Sequence, residues 1–187
     1  MIWLEPTAVA FGILSVWLST RQHIVSWPTA LVNVALYFVI FQQHKLYADM
    51  GLQVFYFGLS CYGWYQWKYG GANRSALPVT RATVRHAVVL VPIGIAGAAA
   101  LGFLLVRTTD AALPWVDSAA TTTSLIAQWM MTRKLLENWV IWVAVDVIYV
   151  GMFLFKGLLL TAGLYAVFLV LAAIGYVQWR RTLHPAS

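Results

Sequence analysis

Apolar runs separated by short polar or basic breaks occupy nearly the whole chain. Seven of them, at about 7–19, 27–41, 48–67, 86–106, 119–131, 138–155 and 158–179, have lengths near what a helix needs to cross a hydrocarbon core. The second opens on Trp27 and Pro28, with proline in a first turn where its missing N–H costs nothing. The break at 68–85 collects Gly70, Gly71, Asn73, Pro78 and four basic residues, which predicts a loop. The fourth run is Gly-, Ala-, Leu- and Val-rich and almost free of side-chain polarity. The stretch TRKLLENWVIWVAVDVIYVGMF, residues 132–153, is different. Trp139, Trp142, Asp146 and Tyr149 step by three, four and three, so one helical face carries two indoles, a carboxylate and a phenol. Such a stripe inside a membrane-length helix is costly unless it faces a cavity or partner helices. Function is expected there.

Composition sharpens the class. Of 187 residues, 61% are hydrophobic and 10% charged, against about 45–50% and about 25% in soluble domains. The mean hydropathy is +0.76. These values predict a polytopic protein of the lipid bilayer. The net charge of +6 raises the question of nucleic acid, and its distribution answers it. With the N-terminus outside, inner segments hold nine basic residues (Arg21, Lys68, Arg74, Arg81, Arg85, Arg133, Lys134, Arg180 and Arg181) and outer loops three, Lys45, Arg107 and Lys156. That is a positive-inside bias, so the charge encodes topology and no nucleic-acid partner is expected. The lone Cys61 supports neither a disulfide nor a thiolate metal site. The first apolar run lacks the basic lead and small-residue site of a cleaved signal.

An internal repeat organises the helices. Shifting the chain by 112 residues lays 12–68 on 124–180 without a gap. Identical pairs include Trp17/Trp129, Thr20/Thr132, Arg21/Arg133, Trp27/Trp139, Tyr37/Tyr149, Phe41/Phe153, Gly63/Gly175 and Trp67/Trp179. Shared hydrophobicity aligns leucines, but rarely three tryptophan pairs and a Thr-Arg in one register. Three helices plus one connector return the second unit to the orientation of the first. The expected fold class is therefore an all-α polytopic membrane protein of seven transmembrane helices, with two parallel three-helix repeats joined by a connector helix. Residues 1–68 form the first repeat; 69–118 form a cytoplasmic loop, the connector and an outer loop; 119–187 form the second repeat and tail. Transporters of this design hold substrate near the midplane, between the units.

Several faces suit such a site. Thr121, Ser124 and Gln128 form a polar stripe on the fifth helix. Asp49, Gln53, Tyr56 and Ser60 share a face of the third, and Thr161, Tyr165 and Phe168 are the repeat partners of the first three. Asn33 and Tyr37 lie one turn apart on the second. Amides and phenols bond hydroxyls and carboxamides, and indoles stack on flat rings, so the set suits a planar polar molecule. The competing account is that Ser, Thr, Asn and Gln only bond neighbouring helices; for Asn33, Gln128, Trp139 and Trp142 together the pocket is preferred. Trp64, Trp67 and Trp179, at run ends beside basic residues, read as an interfacial belt. Arg21 and Arg133 read as topology anchors, with a gating role left open.

The elements SWPTALVN, AQWMMTRKLLENWVIWVAVD and GLYAVFLVLAAIGYVQWRR resemble the Pnu vitamin transporters, and most closely their bacterial nicotinamide riboside branch. The resemblance covers essentially the whole chain, and its specific part is Trp139 and Trp142 within ENWxxWxxxD. It implies a homotrimer of protomers similar to SWEET transporters, in the bacterial inner membrane with the C-terminus cytoplasmic and no cofactor or metal. It also implies facilitated uptake of a vitamin precursor, trapped afterwards by a cytoplasmic kinase. Carried over by motif, Asn33, Gln128, Asn138, Trp139 and Trp142 would surround the substrate, with Tyr165 resting on a looser motif. Asp146, Tyr149, Tyr37 and Gln53 complete the binding candidates. An indole face would attract the pyridinium by roughly 0.5–2 kcal/mol; Asp146 either offsets that charge or bonds a neighbouring helix. Branches similar in fold carry thiamine or riboflavin, and no motif here excludes them.

Other classes fare worse. An intramembrane enzyme would need a nucleophile or metal constellation. The chain has no HExxH or GxSxG, and His23, His44, His86 and His184 fall in loops or at run ends, so no catalytic residue is expected. Proton-coupled symport is the stronger rival, because Asp146 lies within a span and such carboxylates relay protons. No second acid or histidine on the sixth helix completes a relay. A light receptor is disfavoured because no span holds a lysine for retinal.

Overall fold

The structure, a computed structural model, describes residues 3–43, 47–109, 113–155 and 157–183, without the side chains of 47–49. Seven α-helices carry the chain: α1 (Leu4–Thr20), α2 (Ser26–Gln43), α3 (Tyr47–Tyr69), α4 (Val84–Thr108), α5 (Pro114–Thr132), α6 (Asn138–Phe155) and α7 (Leu159–Arg181). Each matches an expected run to within a few residues, the extra turns lying at the ends where apolar periodicity fades. Pro114 opens α5 in the first-turn position it tolerates. Thr83 and His86 form a capping box at the start of α4, so His86 lies at a helix end as expected. Taken singly, α4, α6 and α7 are long and apolar enough to cross a membrane.

Six helices close a ring. α1 packs on α2, α2 on α3, α3 on α5, α5 on α6, α6 on α7, and α7 returns to α1. α4 stands outside on α5, where Gly94, Gly97 and Gly102 admit Ile126, Thr122 and Trp115 to its backbone. The two halves are built alike. The α1–α2 turn and the α5–α6 turn both use a left-handed residue, Gln22 (φ 56°) and Lys134 (φ 49°). In both, the next N–H reaches back to the preceding helix, His23 to the Leu18 carbonyl and Leu135 to the Met130 carbonyl.

The end of the bundle where α1, α3, α5 and α7 finish carries most of the basic residues, and its core is a layer of tryptophan. Trp27 meets Trp67 edge-on at 5.2 Å, and their repeat partners Trp139 and Trp179 meet at 5.4 Å. Trp67 and Trp179 join the two pairs at 5.7 Å. Their indole N–H groups cross between the halves in reciprocal fashion, Trp67 donating to the Met131 carbonyl at 3.0 Å and Trp179 to the Ser19 carbonyl at 2.9 Å. The interfacial belt expected for Trp67 and Trp179 is thus corrected: both are buried, since their N–H groups find partners inside the bundle, while Trp64 stays exposed.

The segment after α3 crosses the same end. Thr80 pairs in parallel with Leu135, its N–H donating to the Lys134 carbonyl and its carbonyl accepting from Leu136. The Glu137 carboxylate accepts the Ala82 N–H at 2.7 Å, and Val79 is buried beneath the tryptophans. The expected loop is present and is held as a fitted strap.

Candidate functional site

The α6 stripe points into the ring. Trp139 and Asp146 are buried, Trp142 and Tyr149 partly so, while Val140 and Val147 between them are exposed. Moving away from the basic end, the stripe passes from indole to carboxylate to phenol.

Trp139 is the surprise. It belongs to the tryptophan layer, with 1% of its surface exposed, seated directly on Gly175 where a Cβ would come within 2.6 Å of its ring. Trp27 sits on Gly63 in the same manner. Ring faces so enclosed leave Trp142, packed at the margin of the layer, as the member of the pair open to a ligand. Four buried polar atoms beside them have no protein partner: Trp139 Nε1, Asn138 Oδ1, and their repeat equivalents Trp27 Nε1 and Ser26 Oγ. Asn138 uses its amide N–H on the Leu135 carbonyl at 2.6 Å, which leaves its oxygen unspent.

Beyond Asp146 the lining turns aromatic. Tyr149 lies 4.9 Å from Tyr165 and stacks on Phe153 at 5.9 Å. Tyr165 touches Phe153 at 5.2 Å and Phe168 at 5.8 Å. Tyr37 stacks on Phe41 at 5.6 Å, repeating the Tyr149/Phe153 pair. Tyr37, Tyr56, Tyr149 and Asp146 all lie within charge-interaction range of the Tyr165 phenol. Among the described residues no lysine or arginine pairs with Asp146, whose side chain is buried. A carboxylate held in that way favours a cationic visitor, because burying an unpaired charge is expensive.

The remaining candidates divide. Asn33 donates its amide N–H to the Ala8 carbonyl at 2.6 Å and packs on Gly12, tying α2 to α1 while its oxygen stays available. Gln128, partly buried, lies one turn from Ser124 toward the tryptophan layer. Gln53 stands apart, lining an open apolar groove between α2 and α3 with Val34, Phe38 and Phe57. The side chain of Asp49 lies outside the described residues.

Two residues escaped the sequence reading of the site. Tyr56, noted on its face but not among the binding candidates, hydrogen-bonds Ser124 at 2.8 Å between α3 and α5. Lys134, read as topology charge, is buried with its ammonium 4.6 Å over Trp67 and 3.3 Å from Gln22 Oε1. Burial pushes its pKa down to about 8. A basic turn gives no sign of burial; only the repeat equivalence of Gln22 and Lys134 hinted that they share a junction.

Comparison with known proteins agrees with this architecture. The family described as nicotinamide mononucleotide transporter matches residues 2–181. The nicotinamide riboside transporter PnuC of Escherichia coli K12 is 31% identical over 202 residues, covering 95% of this chain and 84% of that protein. The riboflavin/roseoflavin transporter RibM of Streptomyces davaonensis is 25% identical, covering 96% and 85%. The crystal structure of the vitamin B3 transporter PnuC superposes with a TM-score of 0.74 at 24% identity, over 96% of this chain and 81% of that one. Fold and sequence match over nearly the whole of this chain, which belongs to the nicotinamide mononucleotide transporter family of polytopic membrane proteins.

Proposed function

We propose that the chain carries nicotinamide riboside into the cell by facilitated diffusion, and that phosphorylation by a cytoplasmic kinase then traps it. The observation that carries this reading is the buried Asp146, without a basic partner among the described residues and flanked by Trp142 and Tyr149. A once-charged planar cation satisfies both parts: the carboxylate offsets its charge and the rings stack on its faces. Trp142 stacks on the nicotinamide, while Asn33 Oδ1, Gln128 and Asn138 Oδ1 accept from the carboxamide and ribose. Trp139 serves as the floor. The basic end faces the cytoplasm, as the positive-inside bias requires. The units at 1–68 and 119–187 rock about this pocket, and the tryptophan layer parts to release the substrate inward. The protein works as a homotrimer in the bacterial inner membrane, each protomer with its own pathway, and catalyses no reaction.

A second reading, uptake of a flavin, draws support from the 25% identity with RibM. Calorimetric titration of the purified protein with nicotinamide riboside, riboflavin and thiamine separates them. Asp146→Asn should weaken the cationic riboside by tenfold or more and leave a neutral flavin nearly unaffected. Tight riboflavin binding with none of the riboside would overturn the first reading in favour of the second.

A further inference from the structure

The two places where the halves meet inside the ring are related by the repeat but differ in chemistry. On one side Tyr56 of α3 faces Ser124 of α5 at 2.8 Å. On the other the equivalent positions are Phe168 of α7 and Gly12 of α1, and a Cβ on Gly12 would lie 3.8 Å from the Phe168 ring tip. One junction is therefore tied by hydroxyls and the other is an apolar contact.

The direction of the tie follows from its third member. Ser124 Oγ also lies 2.8 Å from the Thr121 carbonyl, which accepts but cannot donate, so the serine proton goes there. The Tyr56 O–H must then donate to Ser124 Oγ. With its single proton committed, the Tyr56 oxygen offers only lone pairs to anything else. Tyr56 is partly buried, and its phenol lies within charge-interaction range of the Tyr149 and Tyr165 phenols.

We infer that Tyr56, oriented by Ser124, is a specificity-determining residue of the transport site: a fixed hydrogen-bond acceptor that selects substrates presenting an O–H or N–H donor at that wall. The inference rests on the riboside reading above and deepens it. Asp146 reads the charge of the substrate, and Tyr56 reads one of its donors. A site built around a donor discriminates strongly against an analogue that lacks it, because the buried acceptor is left unpaired.

The test is equilibrium binding of nicotinamide riboside, its 2′-deoxy and 3′-deoxy forms and its N,N-dimethyl carboxamide to wild type and Tyr56→Phe, with thermal melting alongside. Tyr56→Phe should bind the riboside about tenfold more weakly, the scale of one buried hydrogen bond. One of the three analogues should bind both proteins equally well, which identifies the donor that Tyr56 reads. Ser124→Ala frees the phenol to rotate and should lose part of that discrimination; Ser124→Thr, which keeps the hydroxyl, should restore it. Equal weakening of the riboside and all three analogues, or no weakening, would overturn the inference. If wild type takes riboflavin instead of the riboside, the substrate reading fails by itself. Riboflavin and its N3-methyl and deoxyribityl analogues then decide Tyr56 by the same criterion.

Discussion

Trp139 and Trp142 are three positions apart in the sequence and occupy two different environments. Trp142→Ala should weaken riboside binding by about 1–3 kcal/mol, the range of base–aromatic stacking losses, with little change in melting temperature. Trp139→Ala should do the reverse, because deleting a fully buried aromatic costs about 3–5 kcal/mol of stability. Trp27→Ala, its equivalent in the other half, should lose a similar amount, since each indole is seated on a glycine and edged by a second tryptophan. Thermal melting and titration of the three variants check this; a Trp139→Ala protein that melts normally yet fails to bind would return Trp139 to the substrate. Periodicity put the stripe on the inward face. It could not say that Trp139 would be fully enclosed while Trp142 stays only partly buried, because the enclosure depends on Gly175 across the helix pair.

Among elements, contact is regulated by small residues and by the buried Lys134. A methyl at Gly63 or Gly175 would come within 2.2 or 2.6 Å of an indole, closer than any side chain tolerates. Gly63→Ala and Gly175→Ala should each cost about 1–3 kcal/mol through overpacking, read as a lowered melting temperature. Lys134 makes the turn between α5 and α6 sensitive to pH. Its pKa of about 8 lies below the ordinary 10.5, so between those values the unfolded chain binds a proton that the folded chain does not. Stability therefore rises with pH across that window, and below about 8 the penalty is constant. The difference in melting temperature between wild type and Lys134→Met should shrink from pH 7.5 to pH 10; a constant difference would place the ammonium in water. The strap was legible only as a break in hydropathy, because its order comes from Leu135, Leu136 and Glu137, far away in sequence.

For the whole molecule, orientation and selectivity are the testable properties. Tags at the N-terminus and in the 68–85 segment should report opposite sides of the membrane, with the segment and the C-terminus cytoplasmic. Cytoplasmic labelling of the N-terminus would reverse the transport reading. Nicotinamide riboside should enter proteoliposomes and the mononucleotide should not. The described helices present no basic side chain beside Asp146, and Lys134 is already engaged by Trp67 and Gln22. A buried phosphate dianion would go unpaired. Comparable uptake of both compounds would show that a cation reaches the pocket during transport.

Hydropathy by itself determined the seven helices, because every backbone group in a bilayer must be satisfied within its own helix. The 112-residue register determined the twofold plan, and the structure adds matching left-handed turns at Gln22 and Lys134. Local periodicity also told which face of α6 looks inward. What only the tertiary structure decided is the depth and partner of each polar group on such faces. It buried Trp67 and Trp179 with their N–H groups on carbonyls of the opposite half, turned Gln53 to an apolar groove, and tied Tyr56 to Ser124. Those outcomes depend on what stands opposite in a neighbouring helix, more than sixty residues away for the Tyr56 and Trp67 bonds. Spacing along one helix reports the direction of a side chain and carries no information about what it meets.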